Sequence, residues 1–213
     1  INQYWMLNGV TLIDPARTYI EASVTIGIDT VILPNTSLAG QTLIGTDCVI
    51  GPNSIVRDSR IGNHCVITAS MIESATLENQ VDVGPFSHLR AGAYLAQGVH
   101  VGNFAEVKNS KLGAGTKQGH FSYLGDAIIG SNVNIGAGTI TANFDGEKKL
   151  PTEIGDNTFI GVDTLIVAPI KMGAGAKTGA AGEQQADSCD RLGGTHRGSH
   201  RALPYCGRRP LPV

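Results

Sequence analysis

Aliphatic residues recur at about every sixth position along most of this chain. The register is strict as far as Val56, and it slips by one residue at Ile61, Ile72, Leu77 and Leu112. A period of six fits neither the 3.6-residue turn of an α-helix nor the two-residue alternation of a long strand, so it predicts a short strand plus a turn, repeated many times. The repeat positions are Ile26, Ile32, Leu38, Ile44, Ile50, Val56, Ile61, Ile67, Ile72, Leu77, Val83, Leu89, Leu95, Val101, Val107, Leu112, Ile129, Ile135, Ile154, Ile160, Ile166 and Met172.

Glycine often follows the repeat aliphatic, as at Gly27, Gly45 and Gly62. Glycine accepts backbone angles that other residues avoid, which suits a corner of the chain. Three short faces would form one triangular coil, and stacked coils would bury columns of aliphatic side chains. The pattern therefore predicts an all-β protein of the hexapeptide parallel β-helix class, with roughly nine coils over residues 13–180 at about 18 residues per coil.

Two cysteines provide a check on this register. Cys48 and Cys65 each lie two residues before a repeat aliphatic, and one phase slip separates them. We therefore expect them to stack one coil apart on the same face as buried thiols. The four cysteines show no CxxC spacing, which favours reduced thiols of a cytosolic protein over a redox or zinc site.

The repeat is interrupted at two places. Gln118 occupies an aliphatic position beside His120, and the repeat disappears over ANFDGEKKLP, which ends at Pro151. Asp145-Gly146 in that segment predicts a turn. Loops inserted into a solenoid lie on its surface and often carry function, so we expect the site near these interruptions.

Composition excludes some classes of partner. The formal net charge is −2, which gives no reason to expect nucleic acid. No apolar run approaches the ~20 residues that a membrane span requires, and no signal peptide is visible. The first ten residues show neither a helix cap nor strand alternation. We interpret residues 1–12 as the remnant of a linker from a missing N-terminal domain, 13–181 as the β-helix and 182–213 as a tail.

The predicted tail differs from the rest of the chain. It has no six-residue period and is rich in Arg, Gly, Pro and Cys. Our hypothesis is that it arises from a reading-frame slip or an unnatural junction and is disordered. The underlying nucleotide sequence tests this, because an in-frame homologous tail would contradict it.

His120 is the candidate general base. Its imidazole can accept a proton near neutral pH, and it lies where the repeat fails, with the glycine-rich run Ile135–Gly138 following. Small residues in that run would let backbone N–H groups approach a ligand oxygen. We interpret His64, His88 and His100 as structural or solvated residues.

Four cations interrupt an otherwise weakly charged solenoid: Arg90, Lys108, Lys148 and Lys149. Arginine binds phosphate through two parallel hydrogen bonds and lysine supplies a point charge. The spacing of Arg90, Lys108 and His120 is close to a multiple of six, which predicts nearby coils. These residues are compatible with a ligand that carries phosphate.

Several long motifs resemble one bacterial family. GPFSHLRAGA, HVGNFAEVKNS and GHFSYLGDAIIGSNVNIGAGTITANFDG are similar to the C-terminal half of the bifunctional N-acetylglucosamine-1-phosphate uridyltransferase/glucosamine-1-phosphate N-acetyltransferases. The resemblance runs from about Asn8 to about Ala180. The uridyltransferase half is absent, so uridylyl transfer is not predicted for this chain, and magnesium is expected only for that missing half.

The resemblance implies a left-handed β-helix and a homotrimer with active sites between subunits. It implies transfer of acetyl from acetyl-CoA, as co-substrate, to the amine of glucosamine 1-phosphate. The product would supply UDP-N-acetylglucosamine for peptidoglycan and lipopolysaccharide synthesis in the cytoplasm. No metal, nucleic acid or membrane is expected for this domain.

The resemblance also implies residue roles. His120 would be the general base and Glu106 the carboxylate that orients it. The sugar-phosphate contacts would be Arg90, Lys108, Tyr123, Asn134 and Lys149. The acetyl-CoA contacts would be Asn143, Phe144, Val162, Ala180 and the backbone N–H of Ala137.

Two site residues depart from the family pattern, and three alternatives stay open. Phe144 stands where a tyrosine is usual, and Val162 where a serine is often found; each substitution removes a hydroxyl. The alternatives are another hexapeptide acyltransferase, an inactive or structural solenoid, and a γ-carbonic anhydrase-like zinc enzyme using His88, His100 and His120.

Overall fold

The computed structural model describes residues 1–181 and the backbone of a strand at Glu183–Gln184. One short helix, α1 (Asn2–Leu7), and a 3-10 turn at Pro15–Arg17 accompany an array of very short strands. In chain order the strands are β1 Thr11–Leu12, β2 Thr18–Ile20, β3 Thr25–Ile26, β4 Val31–Ile32, β5 Thr36–Ala39, β6 Leu43–Ile44, β7 Val49–Ile50, β8 Ile55–Arg57, β9 Arg60–Ile61, β10 Val66–Ile67, β11 Met71–Glu73, β12 Thr76–Leu77, β13 Asp82–Val83, β14 His88–Leu89, β15 Tyr94–Leu95, β16 His100–Val101, β17 Ala105–Lys108, β18 Lys111–Leu112, β19 Lys117–Gln118, β20 Ser122–Gly125, β21 Ala127–Ile129, β22 Asn134–Ile135, β23 Ile140–Ala142, β24 Thr152–Ile154, β25 Phe159–Ile160, β26 Leu165–Val167, β27 Ile170–Met172 and β28 Glu183–Gln184.

Every third strand belongs to the same sheet. Face A contains β1, β4, β7 and so on to β25; face B runs from β2 to β26 and then β28; face C runs from β3 to β27. All these pairings are parallel, so each set of three strands is one coil stacked on the next. The predicted all-β solenoid of about nine turns is confirmed. The handedness implied by the resemblance stays a prediction.

Where the six-residue register of the sequence slips, the structure has a coil of fewer than eighteen residues. Ile50, Ile67 and Val83 are direct register partners in face A, so the chain completes those two coils with one and two residues fewer than eighteen. The backbone ladder tolerates the shortening because the missing residues come from the corners, while the inward aliphatic residue is retained.

The core consists of three aliphatic columns, one behind each face. All the predicted repeat positions are buried. Gln118 behind face A and Thr141 behind face B are polar members of these columns, and both are fully buried. They lie on either side of the corner that carries His120, so polar side chains replace aliphatic ones in the core where the site is expected.

Cys48 and Cys65 lie one coil apart on face A, as predicted, just before the register partners Val49 and Val66. Neither thiol has any exposed surface. Each donates to a backbone carbonyl, Cys48 to Gly62 and Cys65 to Glu78, both at 3.1 Å. The hydrogen bond with Cys65 lowers the pKa of Cys48 to about 7, while the Cys48 side chain and burial raise the pKa of Cys65. Because both thiols are fully buried, they form a space-filling pair.

The N-terminal residues differ from expectation. Asn2–Leu7 form a helix although Ile1 supplies no side-chain cap. Trp5 packs against the core, and the Asn2 amide donates to the carbonyls of Pro15 and Thr18 at 2.8 and 2.9 Å. Tertiary contacts thus order a segment whose local sequence signals are weak.

At the other end, β28 continues face B beside Leu165–Ile166, inside the segment predicted to be a tail. The tail prediction otherwise falls on residues outside those described. Within the described part of the chain, no helix combines the length and apolarity needed to cross a membrane.

Candidate functional site at the A–B corner and across face B

His120 lies at the corner between faces A and B. It is exposed, in the short connection from β19 to β20. The side of that corner forms a groove of about 310 Å³, which Asn134, Ala137 and Val162 also line. The structure therefore brings together four of the predicted residues.

The backbone in this groove provides a free donor. The N–H of Gly136 bonds to the Ile160 carbonyl at 2.9 Å, and that of Gly138 bonds to the Phe121 carbonyl at 2.8 Å. The N–H of Ala137, between them, has no acceptor within the described residues. It is available to a ligand oxygen beside His120, as an oxyanion-binding group must be.

Glycine at 136 is required by packing. A Cβ there would lie 2.5 Å from the carbonyl carbon of Gly161 on the next coil, closer than real contacts allow. The third member of this stack is Gly179, whose carbonyl approaches Gly161. The stack keeps consecutive coils close and aligns the residues that follow each glycine.

Those following residues lie one above the other along the same corner, and Ala137 and Val162 line the groove. Val162 comes after Gly161, and Ala180 comes after Gly179. Ala181 donates its N–H to the Val162 carbonyl at 2.7 Å. Val162 is 47 % exposed, so the corner presents apolar surface where a serine hydroxyl was expected from the family pattern.

A second set of predicted residues lies at the far edge of face B. Lys108 is the last residue of β17, and Arg90 directly follows β14 in the same face. Lys149 reaches this edge from the inserted loop. The ammonium group of Lys149, and more weakly desolvation and the guanidinium of Arg90, lower the pKa of Lys108. Three cations are held together here, and although Glu106 pairs with Arg90 and Asp126 lies near Lys108, Lys108 and Lys149 still repel each other, which favours binding of an anion.

Tyr123 joins the cations because of a glycine. A Cβ at Gly125 would lie 2.3 Å from the Tyr123 hydroxyl, so the ring extends along the strand over Gly125. Gly125 is the register partner of Lys108. The absent side chain thus lets the phenol hydroxyl lie beside the cation cluster.

Glu106 contacts a cation within its own chain. Its Oε1 accepts a hydrogen bond from Arg90 Nη1 at 2.7 Å, with both side chains partly exposed. The bond raises the pKa of Arg90. Within the described residues no hydrogen bond joins Glu106 to His120, so its predicted role in orienting the base stays a prediction.

The inserted loop is a small hairpin. Phe144 and Lys149 form an antiparallel bridge, and Leu150 donates its N–H to the Asn143 carbonyl at 2.7 Å. The Asp145 carboxylate accepts from the N–H groups of Glu147 and Lys148 at 2.9 and 2.8 Å, and these bonds lower its pKa. The turn predicted at Asp145-Gly146 is therefore present, and Lys149 lies on the returning side of the hairpin.

Asp126 anchors this hairpin, and the sequence analysis did not identify it. Its carboxylate accepts hydrogen bonds from the amides of Asn143 and Asn109. Asn143 is buried, whereas Phe144 is 61 % exposed. The only sequence signal is that Asp126 occupies a corner position, where aspartate tolerates a positive φ.

The zinc alternative receives no support from the histidines. His88 faces out of face B and bonds to Glu73 at 2.9 Å, while His100 faces out of face A and bonds to Asp82. In the described ranges, no three His, Cys, Asp or Glu side chains are grouped so that they could hold a metal ion.

Sequence profiles define the class of the protein. The profile described as "Bacterial transferase hexapeptide (six repeats)" matches residues 23–58, and "Hexapeptide repeat of succinyl-transferase" matches residues 151–180. With the stacked parallel coils, these matches place the chain among the hexapeptide-repeat β-helix proteins.

Curated relatives are much more specific. The "Bifunctional protein GlmU" of Carboxydothermus hydrogenoformans is 53% identical over 175 residues, covering 82% of this chain and 39% of the relative. The protein of the same name from Streptococcus equi subsp. zooepidemicus is 52% identical over 188 residues, covering 88% of this chain and 41% of the relative. The chain belongs to the GlmU family and spans about two fifths of the length of these relatives.

Solved structures are more distant. A UDP-N-acetylglucosamine acyltransferase from Campylobacter jejuni aligns with a TM-score of 0.47 at 15% identity, covering 70% of this chain and 65% of that one.

Proposed function

We propose that this chain transfers the acetyl group of acetyl-CoA to the amine of glucosamine 1-phosphate. The observation that carries the proposal is the juxtaposition of an exposed histidine, a free backbone N–H and a groove at one corner, in a chain of the GlmU family. Acetyl-CoA is a co-substrate, and the proposed chemistry uses no metal in this domain.

His120 acts as the general base. The sugar amine attacks the thioester carbonyl carbon, the C–N bond forms, and the Nε2 or Nδ1 atom of His120 takes the amine proton. Collapse of the tetrahedral intermediate breaks the C–S bond, and the coenzyme leaves as a thiol after receiving that proton. General-base catalysis of this kind is worth about 10²–10⁴-fold in rate.

The Ala137 N–H stabilises the oxygen on which charge develops. It is unpaired in the described structure and lies in the same groove as His120. A pre-aligned donor needs no reorganisation when the oxyanion forms. Val162 lines this groove and Ala180 follows it along the same corner, which gives an elongated thioester arm an apolar surface, and Asn134 adds a polar contact in the groove. Asn143 would contact the ligand from the base of the hairpin, at the other edge of face B.

Arg90, Lys108, Tyr123 and Lys149 bind the phosphate of the acceptor. The mutual repulsion that lowers the pKa of Lys108 is relieved when a phosphate dianion enters the cluster. An acceptor with phosphate on C1 rather than C6 would place its amine at a different distance from His120, so the position of the phosphate sets the specificity.

The complete site forms between subunits of a homotrimer. Within one chain, His120 and the cations lie at opposite edges of face B, separated by the five residues from His120 to Gly125, or about 16 Å of extended strand. The outward side of face B also exposes apolar residues such as Ile55 and Leu165, which favours its covering by another subunit.

A comparison of acceptor sugars that differ in the position of the phosphate tests this proposal. Product should form from acetyl-CoA and glucosamine 1-phosphate, detected by mass spectrometry, and not from glucosamine 6-phosphate or glucosamine. His120→Ala should lower kcat by at least about 100-fold with little change in KM. Equal turnover of all three acceptors, or full activity in His120→Ala, would refute the proposal.

A further inference from the structure

A buried polar side chain lies directly behind His120. Gln118 stacks between Val101 and Ile135 in the aliphatic column of face A, and none of its surface is exposed. Its Nε2 donates to Ser122 Oγ at 2.8 Å. Its Oε1 is buried and has no hydrogen-bond partner among the described residues, an unfavourable arrangement that an aliphatic residue would avoid.

The orientation of this amide is determined by Ser122. The hydroxyl has one proton, and Ser122 Oγ donates it to the His120 carbonyl at 2.9 Å. Ser122 Oγ can therefore only accept from Gln118, which requires Nε2 rather than Oε1 to face it. Rotating the amide would not remove the unpaired oxygen, because it would break the contact with Ser122.

The corner between faces A and B is arranged differently on a coil far from His120. Ser70 Oγ donates to the Thr68 carbonyl at 2.7 Å and accepts from the N–H of Ser87, on the next coil, at 3.2 Å. The equivalent N–H above Ser122 is that of Thr139, which bonds to Gly136 instead. Gln118 fills the place that this backbone donor leaves empty.

His120 has no other backbone tether in the described structure. It lies outside the strands, and none of the backbone–backbone hydrogen bonds involves it. The bond from Ser122 Oγ is therefore the contact that fixes the peptide carrying the imidazole, and Gln118 fixes Ser122.

We propose that Gln118 is a positioning residue, whose buried amide acts through Ser122 to hold the backbone of His120 in place. The catalytic part of this inference rests on the proposed function. A misplacement of about 1 Å at a reacting group can reduce a rate by up to about 100-fold, so a small loss of order at this corner has a measurable effect.

Gln118→Leu is the decisive variant, because it keeps the bulk of the side chain and restores the aliphatic column. Its Tm should equal or exceed that of the parent, since the unpaired buried oxygen is gone. Its kcat should fall about tenfold, with KM changed by less than about twofold. Ser122→Ala should lower kcat similarly, and the double variant should be no worse than either single one, because both belong to one tether.

Ser70→Ala is the matched control, since it removes the same hydroxyl-to-carbonyl bond at a similarly buried serine. It should lower Tm without changing kcat. An unchanged kcat in Gln118→Leu, or an equal loss in Ser70→Ala, would overturn the proposal.

A second readout does not depend on activity. The imidazole resonance of His120, assigned by its loss in His120→Ala, should shift or broaden in Gln118→Leu and stay unchanged in Ser70→Ala. If the parent fails to acetylate glucosamine 1-phosphate, the proposed function is wrong, and this resonance still decides the inference. An unperturbed His120 signal in Gln118→Leu would refute it.

Discussion

At the scale of single residues, the site depends on like charges held close together. Lys149 lowers the pKa of Lys108, with Arg90 adding to the effect. Lys108 loses its proton as pH rises through that lowered pKa, so the site loses positive charge at a lower pH than an isolated lysine would. Phosphate binding should weaken over the same pH range, because the acceptor then meets fewer cations.

Lys149→Met should have two effects on KM for glucosamine 1-phosphate. At neutral pH, KM should rise about tenfold, the value of one charge-assisted contact of about 1.4 kcal/mol. The alkaline rise in KM should begin at a higher pH than in the parent, because the pKa of Lys108 returns toward its usual range. Steady-state kinetics across pH measure both.

Lys148→Met is the control for this prediction. Lys148 lies in the same loop but does not contribute to the shift at Lys108, so it should leave the pH at which KM rises unchanged. If KM rose at the same alkaline pH in Lys149→Met as in the parent, Lys149 would not be the residue that lowers the pKa of Lys108.

Some of the site residues could be predicted from the sequence, and others could not. His120 and the cations were identifiable because their chemistry and their position at interruptions of the repeat are visible in the sequence. Asp126, Ser122 and Gly125 were not, because each acts through a neighbour on another coil. The absence of a side chain at Gly125 matters only because the Tyr123 ring occupies that space.

At the scale of elements, the hairpin of residues 143–151 is attached to the solenoid through few contacts. Asp126 holds Asn143 at its base, and the Asn143 carbonyl bonds to Leu150. The hairpin's own turn is stabilised by Asp145. Its base, rather than its turn, therefore determines whether Lys149 is presented to the cation cluster.

Asp126→Ala should loosen the hairpin while the β-helix stays folded. Losing the partner of a buried amide costs about 1–3 kcal/mol, concentrated in the local opening of this loop. Trypsin should cleave after Lys148 or Lys149 at least several-fold faster, and KM for glucosamine 1-phosphate should rise.

Asp156→Ala provides the comparison. Asp156 also accepts a bond across coils, from the Ser131 N–H at 2.7 Å, but it lies away from the hairpin. It should leave cleavage after Lys148 and Lys149 at the parental rate. Equal rates in the parent and Asp126→Ala would show that Asp126 is not the anchor.

Elements differ in how well the sequence specified them. The register of Cys48 against Cys65 and the shortened coils followed from counting, because each coil position is set by an inward side chain. Helix α1 was missed since its stabilisation comes from Trp5 against the core and Asn2 against the next turn, contacts that no local pattern encodes.

At the scale of the whole molecule, the solenoid is a triangular rod on which the two proposed half-sites lie apart. The groove of His120 runs along one corner, and the cations lie at the other edge of face B. The period-six pattern was sufficient to predict the rod. The pairing of half-sites belongs to an assembly and stays a prediction from the resemblance and from this separation.

Product formation in mixed oligomers tests the central claim most directly. His120→Ala and Lys108→Ala are each expected to lose most activity, and they are refolded together in equal amounts. If one subunit supplies His120 and its neighbour supplies Lys108, random mixing leaves about one quarter of the sites intact. N-acetylglucosamine 1-phosphate should therefore form at about one quarter of the parental rate. A mixture as inactive as the separate variants, measured beside an active parent, would contradict this prediction.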